Sequence, residues 1–448
     1  MHKPNEFNPG HHDRVTVLAT NFNGARILTA SIDHRIKVWS RDPKTGTRTL
    51  VDTFTAHDSD IRDAKFLHPT VGSYIGSIGN DLKFHLWQED VAAPYNSGRR
   101  FRRVTTIPST PRVPFVSLDV KTVDNVYTFL ALIDRQGLLS IYEPSSPDEF
   151  KDWTLIDQFN VCGTNPPQRG DETSFKVRFD QNVTPLAYVN SLSDDRNQLS
   201  LVVSALNEIK VYRSVVPSGE GDSGDGASHR MMFYEVKSIK HPVLVRDVAW
   251  APFSVRGTDR IATAAKDGSV RIFELAVSAA PDVSNGQNPA NTSMAPSTTK
   301  LSTQTPRQQP QSSLTSAITG RAQTQSQSQF HAHSHSTSGS TGPSQSSYPT
   351  GTTSRVVRPG DTFPFLTSIQ SVSELSHAHP DAWSVTFDSQ GQVLLTNGTD
   401  RMTKIWRKSV LGGQWLVFAG QQITESDDDD SDEEDEDSDG NNKDRNGS

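Results

Sequence analysis

The chain is predicted to be all-β: a six-bladed β-propeller, open between its last blade and its first. Three observations predict it. A short phrase of two strands around a tight turn recurs along 448 residues, and in four copies an aromatic follows the turn aspartate by six positions. These copies run from Asp33 to Trp39, Asp81 to Trp87, Asp267 to Phe273 and Asp400 to Trp406. Several units also carry a histidine ahead of their first strand, at His12, His57, His241 and His379. Finally, the last unit has an outer strand of its own in Gln414-Trp415-Leu416-Val417-Phe418-Ala419, and the ten residues before His11 contain no strand pattern to clasp the ring. Period-2 alternation bounded by turn residues reads as strand. A closed six-bladed ring is the other arrangement that the pattern allows.

Composition sets the outer limits. Hydrophobic content is 33%, which fits a folded core diluted by polar segments. Cys162 is the single cysteine, so no intrachain disulfide forms, and a reducing compartment is expected. Residues 1–10 lack the apolar stretch of a signal peptide, and no run approaches the ~18 apolar residues of a membrane-spanning helix. The net charge of -8 is local in origin. Twelve carboxylates lie between Glu425 and Asp439, and without them the remainder stands near +4.

In chain order, the first unit runs from His12 through Val15-Thr16-Val17-Leu18-Ala19 and Trp39 to an outer strand near Thr49–Phe54. The second runs from His57 to Trp87, with an outer strand at Arg103–Ile107. The third places Gln136-Gly137 where Asp-Gly is expected, and the fourth has no turn aspartate. The fifth runs from His241 to Phe273. Its outer strand, Ser368–Leu375, follows only after a Ser/Thr/Gln/Pro-rich insertion at about 276–362, whose low apolar content predicts disorder. The sixth runs from His379 to Trp406, and an acidic tail, 421–448, follows as a solvated, disordered segment. The propeller is thus expected over 11–420. The aspartate-to-aromatic spacing and the periodicity are those of WD repeats. A buried turn aspartate accepts bonds from turn amides and from the histidine ring, so His57 with Asp81 and His379 with Asp400 read as structural pairs, with Asp33 and Asp267 in the same position. No nucleophile recurs beside them, so no enzyme is expected.

Certain phrases are more specific. Leu139-Ser140-Ile141-Tyr142-Glu143-Pro144 with Trp153-Thr154-Leu155 in blade three resembles the SEH-type nucleoporins, as do Val245–Pro252, Ala264–Asp267 and Val270–Phe273 in blade five. Phe66-Leu67-His68-Pro69 with Gly72 is shared with the sister WD-repeat subunit of coat protein II. The resemblance implies a scaffold subunit of the Y-shaped outer-ring complex of the nuclear pore. There, a helical scaffold nucleoporin inserts a blade to complete the open ring, and the complex supports transport of protein and mRNA. It implies a second setting on the cytoplasmic side of the vacuolar or lysosomal membrane, in a nutrient-signalling coat complex upstream of the target-of-rapamycin kinase. Membrane association would be peripheral, through the complex, and neither nucleic acid nor a cofactor is expected to bind. The long insertion and the acidic tail depart from the family's core. Two other readings stay open: a coat protein II subunit, and a WD-repeat adaptor that binds peptides on its top face.

The candidate partner surface is the pair of flanks at the gap. On blade one the strand residues are Val15, Val17, Ile27, Leu28 and Val38; on blade six they are Val385, Phe387, Leu394, Ile405 and Trp415. Alternation sends only some of them toward the gap. Arg99-Arg100-Phe101-Arg102-Arg103 reads either as a grip for an acidic partner or as a solvated loop. His331, His333 and His335 lack a rigid frame for a metal. The sequons at Asn182 and Asn397 would stay unmodified inside a cell, and Thr305 and the tail serines are open to phosphorylation.

Overall fold

The computed structural model describes residues 7–163, 165–168, 170–182, 198–215, 231–252, 257–279, 365–409 and 413–422. They build six four-stranded antiparallel sheets, each a simple meander from innermost to outermost strand. Blade one is β1 (Val15–Thr20), β2 (Arg26–Ser31), β3 (Arg35–Arg41) and β4 (Arg48–Thr55). Blade two is β5 (Ile61–Phe66), β6 (Tyr74–Gly79), β7 (Lys83–Glu89) and β8 (Phe101–Pro108). Blade three is β9 (Phe115–Val123), β10 (Tyr127–Asp134), β11 (Leu138–Ser146) and β12 (Glu149–Asn160). Blade four is β13 (Phe175–Phe179), β14 (Ser200–Ala205), β15 (Glu208–Val215) and β16 (Met232–Lys240). Blade five is β17 (Val245–Trp250), β18 (Thr258–Ala265), β19 (Val270–Ala279) and β20 (Phe365–Leu375). Blade six is β21 (Ala382–Phe387), β22 (Val393–Gly398), β23 (Met402–Lys408) and β24 (Trp415–Gln422).

The fold is the all-β propeller that the repeats predict, and the two degenerate units form full blades. In blade three Asp134 does the work of the missing turn aspartate: its Oδ1 accepts the amides of Gln136 and Leu138 at 2.8 and 2.9 Å. The strands on either side of the insertion are longer than expected. β19 continues to Ala279 and β20 begins at Phe365. The rest of the insertion and the tail beyond 422 lie outside the described residues.

The core is divided among the junctions. Five buried apolar clusters join blades one to two, two to three, three to four, four to five and five to six. Each innermost strand packs on the innermost strand of the next blade, and among the described residues no comparable packing joins blade six to blade one. Burial follows the same division. β5 and β17 are largely buried, while β1 is exposed or half-buried along its whole length. The row of blades therefore has two ends.

Gly268 shows how tightly a junction is built. Its φ is +75°, and a Cβ there would stand 1.6 Å from the carbonyl oxygen of His379 in the next blade. Gly24 also has a positive φ, +69°, but faces open space. Gly268→Ala should cost ~3 kcal/mol or more, backbone strain plus overpacking, against ~1 kcal/mol for Gly24→Ala. Urea unfolding of the two variants checks the difference.

Candidate functional site

Three blades carry a complete four-residue network. His57 Nδ1 donates to the Asp81 carboxylate at 3.0 Å, its Nε2 meets Ser77 Oγ at 2.8 Å, and Trp87 Nε1 donates to the same hydroxyl at 3.0 Å. Blade six repeats it with His379, Asp400, Thr396 and Trp406 at 2.8 to 3.0 Å. Blade one repeats it with His11, not the expected His12: His11 Nδ1 donates to Asp33 at 2.8 Å, and Nε2 and Trp39 Nε1 meet Thr29 Oγ1 at 2.9 and 3.2 Å. The His12 side chain is exposed, and only its backbone N–H reaches Asp33. One residue of register decides which ring can reach the strand. In blade five His241 bonds Thr263, but Asp267 turns instead to the amide and hydroxyl of Ser269.

Burial pushes the carboxyls of Asp33, Asp81 and Asp400 up. The histidine N–H bonds and the turn amides outweigh it and hold all three below the ordinary carboxylate value. The donor atoms of His57, Asp81 and His85 lie within 4.8 Å of one another, and the His57 nitrogens are both committed to hydrogen bonds, with His85 Nδ1 held by Thr106 at 2.9 Å. These pairs tie strands together.

The networks also orient the blades. Trp87 packs against Phe54 of blade one, with ring centroids 4.9 Å apart, and Trp406 lies in the cluster shared with blade five. Each network therefore faces the preceding blade. In blade one that face, carrying Trp39, Thr29 and His11, looks out into the gap. Blade six turns its opposite face to the gap.

This polarity sorts the flank residues. Val17, Leu28 and Val38 belong to the packing between blades one and two, and Val385, Phe387, Leu394 and Trp415 to that between blades five and six. Those seven are inter-blade core, because their side chains alternate away from the gap. Val15, paired with Ser31, Ile27, paired with Trp39, and Ile405, paired with Leu395, lie on the outward faces. Three apolar residues on those faces had been missed. Leu18 pairs with Thr29 and is 69% exposed, Leu395 is half-buried, and Leu416, opposite Arg407, is 55% exposed. Alternation against the buried Leu28 and Leu394 carries the signal, once either face is known.

The basic cluster is not one patch. Arg100 is buried: its Nε donates to Glu89 at 2.7 Å, and its guanidinium reaches the carbonyls of Val91 and Ala93 and lies over the Tyr95 ring. Arg102 pairs with Asp90 at 2.9 Å, and Phe101 is core. Cys162 is a free thiol that burial pushes up to about 11, an inert group at neutral pH. The three insertion histidines, Thr305 and the tail serines lie outside the described residues.

The WD domain, G-beta repeat family matches residues 3–40 and 369–407, so its second match opens inside β20 and both matches end just past the network tryptophan. Nucleoporin SEH1 of Chaetomium thermophilum is 33% identical over 347 residues, covering 59% of this chain and 63% of that protein. Nucleoporin SEH1 of Saccharomyces cerevisiae is 29% identical over 276 residues, covering 61% and 71%. Protein transport protein sec13 of Emericella nidulans is 24% identical over 274 residues, covering 59% and 78%. The chain thus spans just under two thirds of the Chaetomium relative. The identity to these two SEH1 proteins is higher than that to sec13.

Burial lowers His85 and His241 to about 4, and the nearby Arg271 guanidinium adds to the shift at His241. The unfolded chain, near 6.5 at each, takes up protons first, so this stability is complete above about pH 6.5 and is lost as pH falls toward 4. Replacing His85 with Gln should reduce the loss between pH 7 and pH 5 by ~1 kcal/mol, after allowing for partial solvent screening. Chemical unfolding at the two pH values measures it.

Proposed function

We propose that this chain, a WD-repeat relative of the SEH1 nucleoporins, is a non-enzymatic scaffold subunit of the outer-ring complex of the nuclear pore. A helical scaffold nucleoporin seats a blade of its own between blade six and blade one. The observation that carries the reading is the pair of unmatched ends: five junctions are sealed by buried clusters, and the two outward faces present Leu18, Leu395 and Leu416 instead. Exposed apolar surface of this kind marks a protein interface. A blade slid between the faces would bury it by the same sheet-on-sheet packing as the other junctions. Transport of protein and mRNA through the pore, and a second placement in a nutrient-signalling coat at the vacuolar membrane, follow from the same scaffold role.

The similarity to sec13 supports a second reading, a vesicle-coat subunit, with lower identity behind it. Both readings use an open ring, and the identity of the partner separates them.

Affinity purification of the tagged full-length chain, followed by mass spectrometry, should recover outer-ring nucleoporins. The double variant Leu18→Asp/Leu395→Asp should lose at least ~10-fold of that recovery, since a charge buried at an interface without a partner is strongly unfavourable. Its unfolding midpoint should fall only modestly, because Leu18 is exposed and Leu395 half-buried in the free chain. Undiminished recovery in the variant would move the interface elsewhere, and vesicle-coat proteins in place of nucleoporins would favour the second reading.

A further inference from the structure

The loop of blade two that carries Phe66-Leu67-His68-Pro69 and Gly72 walls a cavity that the scaffold role does not use. The chain leaves β5 at Phe66, and Pro69–Val71 make one turn of 3-10 helix capped by His68, whose side chain accepts the Thr70 N–H and meets the Thr70 hydroxyl at 2.7 Å. Gly72 then turns the chain back at φ +113°, where a Cβ would stand 2.9 Å from the Tyr74 ring, so a glycine lets the loop lie that close. The cavity, of about 170 Å³, lies between blades one and two at the strand ends away from the His–Asp turns. Asn21 and Arg26 line it from blade one, and Leu67, Pro69, Ser73 and Tyr74 from blade two. Small-molecule sites take ~300 Å³ or more, so this one has room for a single side chain.

The charges beside it do not balance. Glu89 is one carboxylate shared by two guanidiniums: its Oε1 accepts Arg26 Nη2 at 3.2 Å and Arg100 Nε at 2.7 Å, and its Oε2 takes the Ser73 hydroxyl at 2.7 Å. Arg100 completes its bonds on the carbonyls of Val91 and Ala93. Arg26 does not. Its Nη1 is buried and has no hydrogen-bond partner among the described residues, which leaves a cationic donor unpaired in the wall of the cavity. A negatively charged oxygen is the partner that satisfies such a donor best. Phe22, in the turn between β1 and β2, adds an apolar contact beside the lining residues Asn21, Leu67 and Pro69. It is 74% exposed, and its ring meets His68 edge-on with centroids 4.9 Å apart.

We propose that this cavity is a peptide-docking site, separate from the gap, that takes an acidic linear segment of a partner protein. One apolar side chain enters against Leu67 and Tyr74, a nearby Asp or Glu of the segment bonds Arg26, and Phe22 covers the apolar residue. Charge complementarity selects this occupant. A carboxylate would give the Arg26–Glu89–Arg100 group the second anion that it lacks, whereas a basic segment would set a third cation beside Arg26 and Arg100. An exposed aromatic beside a pocket is the anchor that such contacts use. The site belongs to a junction that is sealed by its own buried cluster, so it stands whether or not a blade fills the gap.

Selection of phage-displayed random linear peptides on the tagged full-length chain tests it, followed by fluorescence polarisation with the labelled peptides that emerge. Peptides that pair an apolar residue with Asp or Glu should be enriched and should bind with micromolar Kd. Phe22→Ala and Arg26→Met should each weaken them at least ~10-fold. Phe22 is exposed, so the first variant keeps the fold; the unfolding midpoint checks the second, in which Glu89 retains Arg100 and Ser73. Changing the acidic residue of the peptide to its amide should cost ~10-fold on the parent chain and little on Arg26→Met, since the two changes remove the same bond. The Leu18→Asp/Leu395→Asp variant should bind as the parent does. Failure to enrich any peptide, enrichment of peptides without an acidic residue, or equal binding by the parent, Phe22→Ala and Arg26→Met would overturn the proposal. Loss of binding in the Leu18→Asp/Leu395→Asp variant alone would place the peptide in the gap and overturn it as well.

Discussion

The ring is held by side chains on the innermost strands that bond across to the next blade. The Thr16 hydroxyl donates to the Ile61 carbonyl at 2.8 Å across the first junction, and Asp63 accepts the Leu118 amide at 3.2 Å across the second. Asp119 accepts both Lys65 Nζ and the Phe179 amide at 2.6 Å, which links blades two, three and four. The Ser174 hydroxyl donates to the Arg246 carbonyl at 3.3 Å, and Asp247 accepts the Val385 amide at 3.2 Å. The donors and acceptors are buried or half-buried, where an unmade bond costs ~1–3 kcal/mol, so each clamp holds its neighbour at one distance and angle. The apolar clusters fill the space that these clamps define.

The clamps run one way, as do the His–Asp networks, which always face the preceding blade. A row built in this manner ends in two different surfaces. Blade one presents its network face, with Trp39 already covered by Phe7. Blade six presents the opposite face, with Leu395, Ile405 and the exposed Leu416. A sheet that entered between them would meet a different chemistry on each side, so the ends themselves would set its orientation. The same asymmetry sets the surroundings of the histidine–aspartate pairs. Their polar atoms are used up in holding strands, and the face that they share is covered at every junction with a preceding blade.

Much of this was legible along the chain. The spacing from aspartate to aromatic located four blades, and alternation located the two degenerate ones. What the pattern left open was side. Val17, Leu28 and Leu394 alternate as regularly as Leu18 and Leu395, and nothing in a period of two says which set is covered. His11 and His12 are neighbours of one residue type, and only the strand's register puts one ring against Asp33 and Thr29. Asp267 keeps the spacing of its relatives but bonds the amide and hydroxyl of Ser269.

The sequence by itself determined the number of blades, the strands within each and the turn chemistry, because these are local properties with a fixed period. Tertiary structure alone decided which face of each blade is buried and that Phe7 packs against Trp39 at the open end of blade one. Those depend on contacts between residues that are close only after the blades are stacked, and a strand's pattern is the same whichever neighbour it meets.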